Sequence, residues 1–208
     1  TGPGHAVVYT GTDPSNHGII ANDWYDPALG REVYCVEDLE VQPVGSTRDA
    51  DRRSPKNILS TTWTDELEWA SVGAAKVFGF SLKDRGAITA AGHYGDAAFW
   101  MDDQQGFVTS SHYASELPQW IRAFNAQHAP ASYLKGTWDR LLEPSVYAAF
   151  TGPDERPFEG KLRGSAAGSF PYDLATLGAG NPGLIRYTPH GNQILIDVAL
   201  AAVDAENL

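Results

Sequence analysis

The chain has 208 residues, 42% hydrophobic and 20% charged, with 15 Lys and Arg against 26 Asp and Glu. This composition is globular rather than disordered, and no apolar run approaches the ~20 residues needed to cross a bilayer. A formal net charge of -11 excludes a nucleic-acid backbone as the main partner, because that role needs a basic face. The single cysteine, Cys35, excludes a disulfide within these residues and any cysteine-based zinc finger.

Residues 1–11 read as a helix. Pro3 suits its first turn and Gly11 its stop, ahead of a turn at Asp13-Pro14-Ser15-Asn16. Thr1 then stands at or just before a helix N-terminus, where unpaired backbone N–H groups attract an anion. Residues 31–38 read as a short strand bounded by turn residues and acidic residues, and the polar stretch 45–57 as a loop. A helix is predicted over 64–74, with Thr64 as N-cap and acidic residues in its first turn. The apolar run 76–82 has strand length and leads into Lys83-Asp84-Arg85-Gly86. A hairpin is predicted around Asp102 to Gly106, joining 97–101 to 107–110. Residues 115–127 form a helix carrying Trp120 and Phe124 at i, i+4 spacing. The stretch 151–183, rich in Gly and Pro, reads as irregular, and 192–203 as an amphipathic helix beginning beside Gly191. No internal repeat is present. Strands alternating with helices define an α/β architecture with sheet layers covered by helices.

Four residues stand out for chemistry. Thr1 is a candidate nucleophile, although a threonine hydroxyl must be activated by a base or a metal ion; the plain alternative is an ordinary N-cap. Lys83 and Arg85 lie two apart at the end of an apolar strand, so in an extended chain they point the same way. Such a pair clamps phosphoryl oxygens, Lys as a point charge and Arg as a bidentate fork. Its alternative is a solvated strand end with Asp84 as local counter-charge. Asn22 can donate its amide to a ligand oxygen or cap a turn. The six histidines, His5, His17, His93, His112, His128 and His190, show no His-x-x-x-His spacing, so no self-contained zinc site is visible. Neither a Gly-x-Ser-x-Gly elbow nor a phosphate-cradling Gly-x-x-x-x-Gly-Lys loop occurs, which disfavours serine-hydrolase and P-loop chemistry.

In order and spacing, these features resemble the alkaline phosphatase superfamily. The likeness rests on Thr1-Gly-Pro-Gly-His-Ala with Tyr9-Thr-Gly11, and on His17-Gly-Ile-Ile-Ala-Asn22-Asp-Trp-Tyr25. The runs Ser81-Leu-Lys83-Asp-Arg85-Gly-Ala87, Ala91-Gly-His93 and Glu116-Leu-Pro-Gln-Trp120 narrow it to the phosphate-irrepressible bacterial branch. Pro153-Asp-Glu-Arg-Pro-Phe158 and Arg186-Tyr-Thr-Pro-His-Gly-Asn192 extend it over nearly the whole chain.

The resemblance implies a central mixed sheet flanked by helices on both faces. It implies that 1–208 are part of a single catalytic domain, with about 22–160 including a cap-like insertion that carries the Lys83/Arg85 clamp. Thr1 falls at the nucleophile, which also touches a zinc ion, and Asn22, Lys83 and Arg85 fall at the groups that bind the phosphoryl oxygens. Two zinc ions are implied, with calcium a further candidate ion, and small phosphate monoesters as substrates. The family also implies a monomer in the periplasm or outside the cell. There are two departures. Gly2 replaces a larger residue after the nucleophile, and the Asp and His zinc-ligand motifs are not recognisable, so these residues are expected to be a fragment of a longer enzyme. The nearest alternative is a nucleotide pyrophosphatase/phosphodiesterase, which lacks the Lys-x-Arg clamp; a non-catalytic phosphate- or glycan-binding module, stacking its tryptophans on the ligand, is the other.

Overall fold

The computed structural model describes every residue except 153–155, so the first half of the 153–158 motif lies outside the described residues. The chain divides into two compact units, Thr1–Gln127 with Leu195–Leu208, and His128–Ile194.

The first unit opens with α1 (Gly2–Thr10), which has Pro3 in its first turn and stops at Gly11, whose φ of 67° is a left-handed conformation. The expected turn at Asp13 is one short helix, α2 (Pro14–His17), capped by Asp13. The strand expected over 31–38 is shorter, β2 (Arg31–Tyr34), and it is the second arm of a hairpin with β1 (Asp23–Asp26). The 45–57 loop is irregular apart from a 3-10 turn at Asp49–Asp51 and an isolated antiparallel bridge between Arg53 and Glu37.

A four-stranded sheet organises this unit. Its strands are β3 (Pro43–Val44), β4 (Phe78–Ser81), β5 (Ala97–Asp102) and β6 (Gly106–Ser110), in the order β3-β6-β5-β4. β4 and β5 are parallel and the other pairs antiparallel, so the sheet is mixed, and β5–β6 is the hairpin expected around Asp102 to Gly106. Every residue of β5 is buried, as expected for a strand with both faces covered. One face carries Ala98, Trp100 and Val108, packed with Ala6, Ile19, Cys35, Ile58, Ala87, Ile88 and Ala91. Successive residues alternate sides, so Phe99 turns the other way, to Phe80 and to Trp120 at 5.7 Å each. Trp120 belongs to α5 (Gln119–Gln127), whose Ile121 and Phe124 are also buried. The α/β architecture and the mixed sheet with helices on both faces are therefore both present.

Two helices depart from the sequence expectation. α3 is Trp63–Ala70, and its cap is Thr62 rather than Thr64; Thr62 and Asp65 form a reciprocal capping box that Thr64 could not make. The segment after β4 does not continue as an extended end. It turns at once into α4 (Asp84–Ala91), the crossover to the parallel strand β5. A Cβ on Gly86 would stand 2.4 Å from Ser81 Oγ and 3.3 Å from His5 Cε1, so the missing side chain lets the first turn of α4 close onto β4 and α1.

The second unit pairs β7 (Thr137–Trp138) with β8 (Tyr172–Asp173), over which Trp138, Phe170 and Tyr172 cluster at 5.1–5.5 Å. It also contains α6 (Pro144–Thr151) and the short α7 (Leu174–Leu177), around buried Leu134, Leu174, Leu184 and Ile185. The expected C-terminal helix is α8 (His190–Glu206), longer at both ends than predicted and with Gly191 inside it. No helix among the described residues is long and apolar enough to cross a membrane.

Candidate active site

Thr1 caps α1. Its Oγ1 accepts the Gly4 N–H at 3.2 Å, and the hydroxyl is exposed. Both the N-cap reading and the nucleophile reading therefore place this oxygen at a helix start, where backbone dipoles favour negative charge on it.

The next residue ties Thr1 to Asn22. The Gly2 N–H donates to Asn22 Oδ1 at 2.6 Å. That contact fixes the amide orientation: the oxygen is taken, and the Nδ2 group, which meets no partner among the described residues, is left to donate outward. Gly2 is buried, and a Cβ on it would lie 3.0 Å from Cys35 Sγ and 3.4 Å from Asn22 Oδ1. A residue without a side chain at this position thus keeps the thiol and the amide in place beneath Thr1. The Asn22 carbonyl accepts the Cys35 N–H at 2.8 Å, joining this floor to the end of β2.

Tyr34, last residue of β2, continues the connection to Arg85. Arg85 Nη1 donates to the Tyr34 hydroxyl at 2.7 Å, and that hydroxyl donates to Asp84 Oδ1 at 2.6 Å. Arg53 lies over the Tyr34 ring at 4.2 Å and places Nε 2.9 Å from Asp84 Oδ2. Its N–H is not aligned for a hydrogen bond, so the contact is an ion pair. Burial, then the Asp84 carboxylate, push the Tyr34 phenol far above its ordinary pKa. The same two causes raise the buried Cys35 thiol to about 11.

Lys83 and Arg85 are not side by side on a strand. Lys83 is the extended residue before α4, with φ -128° and ψ 137°, and Arg85 lies in the helix's first turn. Asp84 makes no ion pair with either side chain, because its carboxylate faces Arg53 and Tyr34; its charge reaches the Arg85 guanidinium only through space. The pair sits at a helix N-terminus instead, and Lys83 Nζ has no partner among the described residues. Sequence reasoning missed Tyr34 and Arg53. They are 51 and 32 positions from Arg85, and only the hairpin of β1 and β2 together with the 45–57 loop brings them to α4.

Among the described residues, no three His, Cys, Asp or Glu side chains gather closely enough to hold a metal ion. Thr1 is the lone residue here with an expected metal contact, so the residues present do not by themselves make a metal site.

The chain belongs to the type I phosphodiesterase / nucleotide pyrophosphatase family, whose sequence model matches residues 1–185. It is 43% identical over 209 residues to alkaline phosphatase PhoV of Synechococcus elongatus, with all of this chain and 38% of that relative covered. The crystal structure of alkaline phosphatase PafA, an enzyme of Elizabethkingia meningoseptica, superposes with a TM-score of 0.94 at 44% identity, covering all of this chain and 40% of that one. A second PafA crystal structure, with substitutions at one threonine, one asparagine, one lysine and one arginine, has a TM-score of 0.94 at 42% identity over the same shares. The chain thus spans about two fifths of the relatives it matches, and the resemblance to the alkaline phosphatase superfamily is borne out.

Proposed function

We propose that the protein containing these residues hydrolyses phosphate monoesters, with Thr1 as nucleophile and Asn22, Lys83 and Arg85 as binders of the phosphoryl oxygens. The observation that carries this reading is the connected path from Gly2 through Asn22 and Cys35, across the Tyr34–Cys35 peptide link, to the Tyr34 hydroxyl and Arg85, which joins the starts of α1 and α4 by three hydrogen bonds. A hydroxyl, an outward amide and a guanidinium are held on one connected scaffold. The four residue types substituted in the PafA variant support it: Thr, Asn, Lys, Arg, the last two separated by one residue, is also the order of Thr1, Asn22, Lys83 and Arg85.

Thr1 Oγ1 attacks phosphorus in line as the bond to the leaving oxygen breaks, giving a phosphothreonine and, once protonated, an alcohol. Water then attacks the same phosphorus, releases inorganic phosphate and restores the hydroxyl. Through both steps, Arg85 and Lys83 neutralise the equatorial oxygens, over which charge is spread. The two zinc ions, with calcium a further candidate, rest on the family resemblance alone; no step is written through them. Small monoesters as substrates, a monomeric state and a periplasmic or extracellular location have the same basis.

The family's name also covers phosphodiesterases, and the cationic pair separates the two readings. A monoester dianion offers charged oxygens to both Lys83 and Arg85, whereas a diester places a neutral ester oxygen or its substituent there. Full-length protein should therefore prefer a phosphate monoester over its matched diester, and Arg85→Ala should lower monoester kcat/KM by about 10²–10³ while lowering the diester value far less. Equal losses on the two substrates would remove the clamp from the mechanism.

A further inference from the structure

We infer that Tyr34 is a positioning residue for Arg85, holding one arm of the guanidinium so that the others are presented to the phosphoryl group. This rests on the proposed phosphomonoesterase reading and assigns a role to a residue outside the four that bind or react. A partly exposed arginine in the first turn of a helix has many accessible rotamers, and an oxyanion binder works best when its donors are fixed before charge develops. Two contacts remove that freedom here. Arg85 Nη1 is spent on the Tyr34 oxygen at 2.7 Å. The oxygen is free to accept because its own proton points to Asp84 Oδ1, 2.6 Å away. Asp84 cannot turn aside, since its second oxygen faces Arg53 at 2.9 Å, and Arg53 in turn covers the Tyr34 ring. Each member is held by the next, and the chain ends on Arg85 with Nε and Nη2 left unbonded among the described residues. The direction of donation is also stable: burial and Asp84 keep the phenol protonated well into alkaline solution.

Tyr34→Phe in the full-length protein tests this, because it keeps the ring beneath Arg53 and removes only the hydroxyl. The expected result is a roughly tenfold to hundredfold loss in monoester kcat/KM, the size of one hydrogen bond to a charged group. Inhibition by inorganic phosphate should weaken in proportion, matched diester hydrolysis should stay within about twofold, and the melting temperature should be preserved. In an Arg85→Ala background, Tyr34→Phe should add nothing. Asp84→Asn gives a second route if the phenylalanine variant does not fold: it releases Arg53 and loosens the Tyr34 hydroxyl, and should produce a smaller loss with the same monoester selectivity. Equal slowing of both substrates, or a full additional loss on top of Arg85→Ala, would overturn the positioning role. If Arg85→Ala cripples monoester turnover and neither Tyr34→Phe nor Asp84→Asn does, this inference fails alone. If the unmodified protein prefers diesters, the phosphomonoesterase reading fails and takes the inference with it.

Discussion

The two ends of α4 carry polar networks of opposite character. At the end of the helix, Asp65 is completely buried and accepts from the backbone N–H groups of Thr62, His93 and Tyr94 and from His93 Nδ1 at 2.7–3.1 Å. His93 Nε2 meets the Ile58 carbonyl at 3.0 Å, so the imidazole is occupied on both sides. At the start of the helix, Arg85 and Asn22 are each held by one contact and keep the rest of their donors open, and Lys83 keeps all of its. A network with every valence used locks a fold. One that is anchored but leaves donors pointing outward can bind a ligand. The difference separates a structural His–Asp pair from a binding site more sharply than residue type does, since a buried Asp beside a His also resembles catalytic machinery.

The largest effect that would break this contrast is at Asp65. Asp65→Ala strands His93 and three backbone donors, and should cost about 3–5 kcal/mol of stability, read as a fall in the urea midpoint with little change in monoester/diester selectivity. A selectivity change comparable to that of Arg85→Ala would mean that the far network belongs to the site. A smaller effect is the pH dependence of the same pair. Burial alone would raise the Asp65 carboxyl, but the hydrogen bonds from His93 and Thr62 outweigh it and hold it at about 2. The Asp65 bond, against the opposing pull of burial, raises His93 above its ordinary 6.5. The depressed carboxyl contributes stability that is present above pH 3.8 and lost as pH falls towards 2. The raised imidazole contributes stability that is complete below pH 6.5 and lost as pH rises through its folded value. The unfolding free energy from urea titrations across pH 5–9 should fall on the alkaline side by on the order of 1 kcal/mol, and His93→Gln should flatten that slope.

The smallest predicted effect sharpens the other end. Gly2→Ala puts a methyl group 3.0 Å from Cys35 Sγ, an overpacking of about 1 kcal/mol. Cys35→Ala should relieve it, so that the double variant is more stable than the sum of the single changes allows. Strict additivity would show that Gly2 is not spaced by the thiol.

Much of the frame was legible in the sequence because it is written locally. Pro3 and Gly11 bracket α1, and the turn residues at Asp102 to Gly106 mark the β5–β6 hairpin. α4 was not, because Lys83-Asp-Arg-Gly carries no side-chain cap and Gly86 is a poor helix former; what starts the helix is its packing on β4 and α1, a tertiary cause. The extended strand end expected at Lys83 and Arg85 is absent for the same reason: only Lys83 is extended, and Arg85 is already helical. The N-cap misassignment had a readable remedy, since Thr62 followed three residues later by Asp65 is a capping-box spacing. Tyr34 carried no signal at all: within a short strand, an aromatic residue reads as packing, and its partner lies half a hundred positions away.

The placement of Cys35 has an experimental consequence. It is the single thiol in these 208 residues, fully enclosed, resting against Gly2, and almost entirely protonated at neutral pH. An alkylating reagent can reach it only when the floor beneath Thr1 opens, so the labelling rate is a clock for local breathing at that spot. These residues thus carry their own reporter of how rigidly Thr1 is seated, with no residue substituted to install it.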